Sequence, residues 1–305
     1  MKYETASSFR AAIEDRLRPT FAQDQTQSVS RQRKLMVFDR LLARLQTIAP
    51  DRWILKEAVA LDYRLGPRAR ATKDLDLARQ EDEQAATADL RAAQSLDLGD
   101  YFTFQIDRTG ALDELLEGAA IRYRVQADLA GRRFEIVTVD VGFADWFDLP
   151  HDRIKGPNFF GFAGIQPVDV LALPLEQHIA EKLHAYTRVY GDNRQSSRVK
   201  DLVDLVLISS TAEFEAGRLR HAIDRTFTTR NTQIVPDFFP QPPESWAAPY
   251  RKLASEIGLH PEVAVGHRLS AAFVDPILSG DAPIGARWDP GEGAWKPPGD
   301  EASSG

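Results

Sequence analysis

The sequence predicts an α+β protein, its N-terminal half built on a small mixed sheet and its C-terminal half mainly helical. Three observations carry this. Over 72–77 and again over 134–141 apolar side chains recur with the period of two that a half-buried strand requires. From Leu175 onward they recur at spacings of three and four, the signature of one helix face. Pro157, Pro167 and Pro174 punctuate the stretch where the first pattern gives way to the second.

Residues 1–27 are polar and weakly patterned, and no element is predicted there. Leu35, Phe38, Leu41, Leu42 and Leu45 then predict an amphipathic helix in a basic frame, from Val29 to Thr47. Trp53-Ile54-Leu55 reads as a strand, Lys56-Glu57 as a turn, and Ala58 to Leu61 as a short helix. From Thr72 the chain alternates. Leu75 and Leu77 point one way while Thr72, Asp74 and Asp76 point the other, because strand side chains change face at every residue.

Glu81 to Leu98 reads as a solvated helix and Tyr101 to Asp107 as extended. Ala119 to Leu129 and Phe134 to Val141, joined through Ala130-Gly131-Arg132, form a hairpin whose second arm carries Asp140. Leu175, Ile179, Leu183 and Tyr186 mark one stripe of a helix; further helices are expected over 198–208 and 212–227. Past Ala282 the chain is Pro, Gly and charge without periodicity. These readings divide the chain into a sheet-bearing domain over 28–165, a helical domain over 166–282 and a disordered tail over 283–305.

Composition narrows the chemistry. The 305 residues are 43% hydrophobic and carry a formal net charge of -7, so a nucleic-acid partner would be held by a local basic patch and not by bulk charge. Lys and Arg cluster over 31–44 and 182–200. The absence of cysteine excludes disulfide frameworks, thiolate zinc sites and Cys nucleophiles. The N-terminus has no apolar leader, and no run approaches the roughly 18 apolar residues that span a bilayer. A cytoplasmic protein without a membrane partner is expected.

The residues that point to chemistry are Asp74 and Asp76. Nucleotidyl transfer uses divalent metal held by hard oxygen ligands, and Asp-x-Asp on a strand supplies two carboxylates on one face. A third on a neighbouring strand, the place of Asp140, completes a clamp for two ions. The alternative is a pair of solvated strand-face carboxylates without a role, a common occurrence. Lys182 flanks the apolar stripe of its helix, where it either reaches a cleft or lies along apolar neighbours as a surface lysine. Asp201 and Asp204 stand one helical turn apart, and each either serves a site or pairs with Arg198 or Lys200.

Lys56-Glu57-Ala58-Val59-Ala60-Leu61 followed by Arg70-Ala71-Thr72-Lys73-Asp74-Leu75-Asp76 resembles the AbiEii/MenT family of nucleotidyltransferase toxins, within the polymerase-β-like superfamily. The resemblance continues through Glu176 to Ala185 and Arg198 to Leu205, four ordered blocks in all. It implies a nucleotidyltransferase fold for the N-terminal half. It also implies transfer of a nucleotide from an NTP to RNA, the 3′ acceptor end of tRNA above all, with Mg2+ or Mn2+ as cofactor and a cognate antitoxin as partner. Under it Asp74 and Asp76 bind metal, with Asp140 matching a third ligand by position. Lys56 and Thr72 belong to the nucleotide-binding region, Lys182 meets the triphosphate, and Asp201 orients Lys182 or acts near the acceptor hydroxyl. Arg31, Arg33, Lys34, Arg40 and Arg44 line an RNA approach, or else form a solvated helix face.

The family pattern carries paired glycines in the turn after the first strand, where backbone N–H groups approach the phosphates. Here Glu57 and Ala58 take those places. Two further readings therefore stand beside the first: a catalytically degenerate module that binds a partner or RNA, and a transferase acting on a small-molecule acceptor.

Overall fold

The computed structural model describes residues 1–18, 29–112, 120–143, 150–188 and 198–298. The chain divides into two compact units. Met1–Pro67 and Ala71–Leu173 form the first, Arg68–Arg70 and Pro174–Gly305 the second.

In the first unit the elements run α1 (Ala6–Leu17), α2 (Val29–Ile48), β1 (Trp53–Leu55), α3 (Glu57–Leu65), β2 (Asp74–Arg79), α4 (Glu83–Ser95), β3 (Phe102–Leu112), β4 (Ala120–Leu129), β5 (Arg132–Phe143), β6 (Asp152–Lys155) and β7 (Asp169–Ala172). The strands form one mixed sheet in the order β3-β4-β5-β2-β1-β7-β6. Two pairings are parallel, β2 with β5 and β1 with β7; the others are antiparallel. Parallel pairing requires a crossover: between β2 and β5 it runs through α4, β3 and β4, and between β1 and β7 through all the elements from α3 to β6.

One face of this sheet carries the core. Leu75 and Leu77 of β2, Tyr123, Val125 and Ala127 of β4, and Val137, Val139 and Val141 of β5 are buried with Phe9 and Ile13 of α1, Phe38, Leu41 and Leu45 of α2, and Ala86 and Leu90 of α4. The alternate positions, Asp74, Asp76, Arg122, Arg124, Thr138 and Asp140, are partly or fully exposed. The alternation read from the sequence is thus the division between core and solvent face.

Helix α1 is absent from the sequence prediction. Thr5 caps it by accepting from Ser8 N–H, and Phe9, Ile13 and Leu17, each four residues apart, are all buried. Phe9 packs against Tyr101, Phe102, Phe160 and Phe162. Arg10 donates to the carbonyls of Leu129 and Arg132 at the β4–β5 turn.

The basic face predicted for α2 as an RNA approach is in fact largely internal. Arg31, Arg40 and Arg44 are 6%, 3% and 0% exposed. Arg44 forks onto Asp100, with Nη2 2.7 Å from Oδ1 and Nη1 2.9 Å from Oδ2, and also donates to the Phe102 carbonyl. Arg40 is held by Asp39, and Arg31 by both oxygens of Asp62. Cationic side chains can be buried when each meets a carboxylate; here Asp39 is the neighbour of Arg40 in sequence, whereas Asp62 and Asp100 lie 31 and 56 residues from Arg31 and Arg44.

The second unit contains α5 (Leu175–Thr187), α6 (Val199–Ser209), α7 (Ala216–Arg230), α8 (Ala247–Glu256) and α9 (Val263–Ser279) with a small sheet, β10-β9-β8, of Ala294–Lys296, Arg287–Asp289 and Phe214–Glu215. Helix α6 is buried over Asp201 to Ser209 because it is apolar on nearly every side.

Two sequence expectations change. The boundary set at 165/166 falls instead at Leu173/Pro174, since β7 pairs with β1 and so belongs to the first sheet. The tail expected over 283–305 is ordered as far as residue 298, where β9 and β10 make a hairpin; 299–305 lie outside the described residues. Trp288 donates to the Ser209 carbonyl and Trp295 stacks on Phe273 at 5.6 Å, so two aromatics anchor a segment whose polar composition hides them.

Candidate functional site

The first unit gathers its charge on the open sheet face. Strand register sets Asp74 opposite Thr138, Asp76 opposite Asp140, and Asp140 opposite Arg122 on β4. Asp76, Asp140 and Arg122 thus form a row across three adjacent strands. The turn before α3 is tied to the same strand, for Lys56 N–H donates to the Asp76 carbonyl at 2.9 Å.

Burial, then the like charges of Glu57, Asp140 and Asp74, push Asp76 up to about 7, against the weaker pull of Lys56. Carboxylates crowded in this way repel one another unless a cation enters. Asp140 already has one: Arg122 donates from Nε to Oδ1 at 2.8 Å and from Nη2 to Oδ2 at 2.7 Å. That hydrogen bond and the charges of Asp140, Asp74 and Asp76 hold the Arg122 guanidinium more firmly protonated, against the cost of burial. Among the described residues no three acidic or histidine side chains gather closely enough to cage an ion.

Magnesium or manganese nonetheless fits the donors at hand. Such ions bind through one or two carboxylates, keep waters and take the remaining oxygens from substrate phosphates. Asp74 and Asp76 offer two such carboxylates, and among the described residues neither accepts a side-chain hydrogen bond. Thr72, expected at the nucleotide, spends its hydroxyl on Asp74, donating to its carbonyl at 3.1 Å and accepting from its N–H at 3.4 Å.

Glu57 adopts φ +50, the left-handed region that glycine occupies without cost. The backbone of the turn therefore has the conformation that a glycine would favour, with a carboxylate mounted on it.

The second unit holds a separate ionic cluster. Lys182 Nζ lies 2.8 Å from Asp204 and 3.5 Å from Asp201, with all three side chains buried. Arg70 forks onto Asp204, Nε to Oδ1 at 2.9 Å and Nη2 to Oδ2 at 3.1 Å, while Arg198 Nε meets Asp201 at 2.6 Å. Burial alone would raise Asp204, but Lys182 and Arg70 outweigh it and hold the carboxyl below its ordinary range. Of the expected site residues, the sheet thus brings together Asp74, Asp76 and Asp140, with Lys56 and Thr72 bound to their strand, and the helical unit brings together Lys182 and Asp201.

Two participants escape sequence reasoning, Arg122 and Arg70; Asp204, expected to serve a site or to pair with Arg198 or Lys200, meets Arg70 and Lys182. The signal for Arg122 lies in the hairpin register, but the shift between Ala127 and Asp128 displaces it from a plain count out of the turn. For Arg70 and Asp204 no local pattern exists, as they stand 134 residues apart. A shallow depression of about 620 Å³ lined by Asp82, Glu83, Thr87, Arg91 and Arg108 lies along α4 and contains none of these carboxylates.

Comparison with known proteins accords with this geometry. The family model described as nucleotidyl transferase AbiEii toxin, type IV TA system, matches residues 40–280. No curated protein matches the chain significantly. Among solved structures, MenT4, a nucleotidyltransferase toxin from Mycobacterium tuberculosis H37Rv, is similar at 17% identity and TM-score 0.54, covering 88% of this chain and 98% of its own. JHP933 from Helicobacter pylori is similar at 14% identity and TM-score 0.40, over 81% of this chain and 92% of its own. At such identities the likeness is one of fold. Among the described residues no helix is long and apolar enough to cross a membrane.

Proposed function

The chain belongs to the AbiEii family of nucleotidyl transferase toxins, and from that premise we propose that it transfers a nucleotide from an NTP to RNA, with the 3′ acceptor end of tRNA as the favoured target. The observation that carries this reading is the pair Asp74 and Asp76 on one open strand face, in a crowd of like charge that calls for a cation.

In the proposed reaction the acceptor hydroxyl oxygen forms a bond to the α-phosphorus as the bond to pyrophosphate breaks; pyrophosphate leaves and the hydroxyl proton passes to solvent. A divalent ion, when bound, would supply charge neutralisation at the triphosphate and activation of the attacking oxygen. Asp74 and Asp76 would hold it. The turn at Lys56, hydrogen-bonded to the Asp76 carbonyl, would set the nucleotide beside that strand.

Lys182 and Asp201 enter the reading through the family resemblance. For Lys182 to serve the triphosphate, its Nζ must exchange Asp204 and Asp201 for phosphate oxygens, since those carboxylates hold it in a buried position. We propose that Arg70 makes this exchange possible by keeping Asp204 compensated while Lys182 moves. Modification of the acceptor end would block charging and so translation, and a cognate antitoxin would restrain it.

The test is transfer of label from each of the four NTPs to tRNA in the presence of Mg2+. Asp74→Ala and Asp76→Ala should each abolish it. Absence of label on tRNA, on other RNA and on small acceptors would sink the transferase reading.

One observation favours the degenerate module: Glu57 places a carboxylate in the turn where phosphates would come closest. Calorimetry separates the two readings. Tight NTP binding by the unaltered chain excludes the module, whereas binding gained only in Glu57→Gly supports it.

A further inference from the structure

The row Asp76, Asp140, Arg122 does more than complete a set of ligands. Cross-strand register sets Arg122 directly opposite Asp140, so the guanidinium reaches both carboxylate oxygens from its own place in the sheet, at 2.7 and 2.8 Å. Thr109 fixes the strand there by donating to the Arg122 carbonyl at 3.1 Å, beside the bulge in β3. Asp140 is 13% exposed at its side chain and Arg122 42%, so the carboxylate is enclosed and its partner lies on the solvent side. A bidentate, charge-assisted pair of this kind takes one acceptor direction on each oxygen and sets a positive charge against the approach of a metal ion.

Resting on the metal-centre reading above, we infer that Arg122 holds the second cation position of this centre. It withholds Asp140 from metal, and Asp74 with Asp76 takes a single divalent ion. The fixed positive charge neutralises Asp140 from its β4 side, as an ion bound there would. Among the described residues Nη1 of Arg122 has no acceptor, and its two donors remain for a substrate phosphate on the same face. The centre therefore works with one exchangeable ion and one that is covalently part of the chain.

The test is a titration of the metal-free full chain with Mn2+ alone, followed by electron paramagnetic resonance. The unaltered chain should bind one ion. Arg122→Met, which keeps the stem and removes the charge, should bind a second ion or bind the first at least about tenfold tighter. Adding Asp140→Asn to that variant should remove the gain. Asp140→Asn alone should leave the affinity of the unaltered chain within about twofold, and this arm stands if Arg122→Met does not fold. Two ions in the unaltered chain, no gain in Arg122→Met, or a tenfold loss in Asp140→Asn overturns the inference and leaves the metal centre standing. No Mn2+ bound by the unaltered chain overturns the metal-centre reading and the inference together.

Discussion

Lys182 and Arg70 converge on one carboxylate, that of Asp204, with the ammonium at 2.8 Å and the guanidinium forked across both oxygens. Removing the shared partner takes the 2.8 Å ion pair from Lys182, leaving Asp201 at 3.5 Å, and the fork from Arg70. Asp204→Asn is therefore expected to cost about 3–5 kcal/mol of unfolding free energy, read by urea denaturation. Because the carboxyl is held below its ordinary range, its contribution is full above about pH 4 and is lost as pH falls through the folded value. The gap between the two proteins should narrow on acidification, and a gap independent of pH would contradict the pairing.

Asp62 behaves in the opposite sense. Burial pushes it up to about 6 despite Arg31 beside it. A raised carboxyl favours folding fully below about pH 4 and loses that contribution as pH rises through 6, a change of at most about 3 kcal/mol. Asp62→Asn, which resembles the protonated carboxyl, should match the unaltered chain below about pH 4, lack this slope between pH 4 and 6, and so be the more stable of the two above pH 6. Parallel stability curves for the two proteins would refute the assignment.

Arg44 offers a choice between surface and core. With all of its side chain buried against Asp100 and the Phe102 carbonyl, Arg44→Met should destabilise by about 3–5 kcal/mol. An RNA-binding arginine would instead change the salt dependence of binding and leave stability within about 0.5 kcal/mol. Denaturation and RNA titration at two salt concentrations decide between them.

Glu57→Gly should raise stability by about 1 kcal/mol, because the left-handed backbone at φ +50 disfavours any residue with a Cβ. Glu57→Ala, which removes the carboxylate and keeps the Cβ, should not. Equal stabilisation by both would assign the effect to charge and not to backbone.

The two halves of the candidate site were not equally legible in the sequence. Asp74 and Asp76 could be found because strand alternation is local, and Leu75 and Leu77 announce which face is buried. Asp140 followed from the hairpin. Arg122 did not, since a plain count out of the turn fails at the β4–β5 register shift between Ala127 and Asp128, which no residue type signals. The basic face of α2 misled for a related reason. Arg40 and Arg44 recur on one side of a helix, as solvated residues do, and their partner Asp100 comes more than fifty residues later. Helix α1, by contrast, was there to be read: Phe9, Ile13 and Leu17 keep one face, but the polar residues between them lowered the contrast. Trp288 and Trp295 likewise stood alone in a polar segment, and only their contacts with Ser209 and Phe273 explain them.

The second unit borrows Arg68–Arg70 from the stretch between α3 and β2, and this makes it an inseparable inheritance. A fragment beginning at Pro174 would carry Lys182 and Asp204 but leave Arg70 behind. Gene rearrangements that shuffle the helical half alone would deliver a broken charge cluster. Genetic exchange in this lineage is thus expected to keep the segment around Arg70 and the helices of Lys182 and Asp204 together, or to replace all three at once.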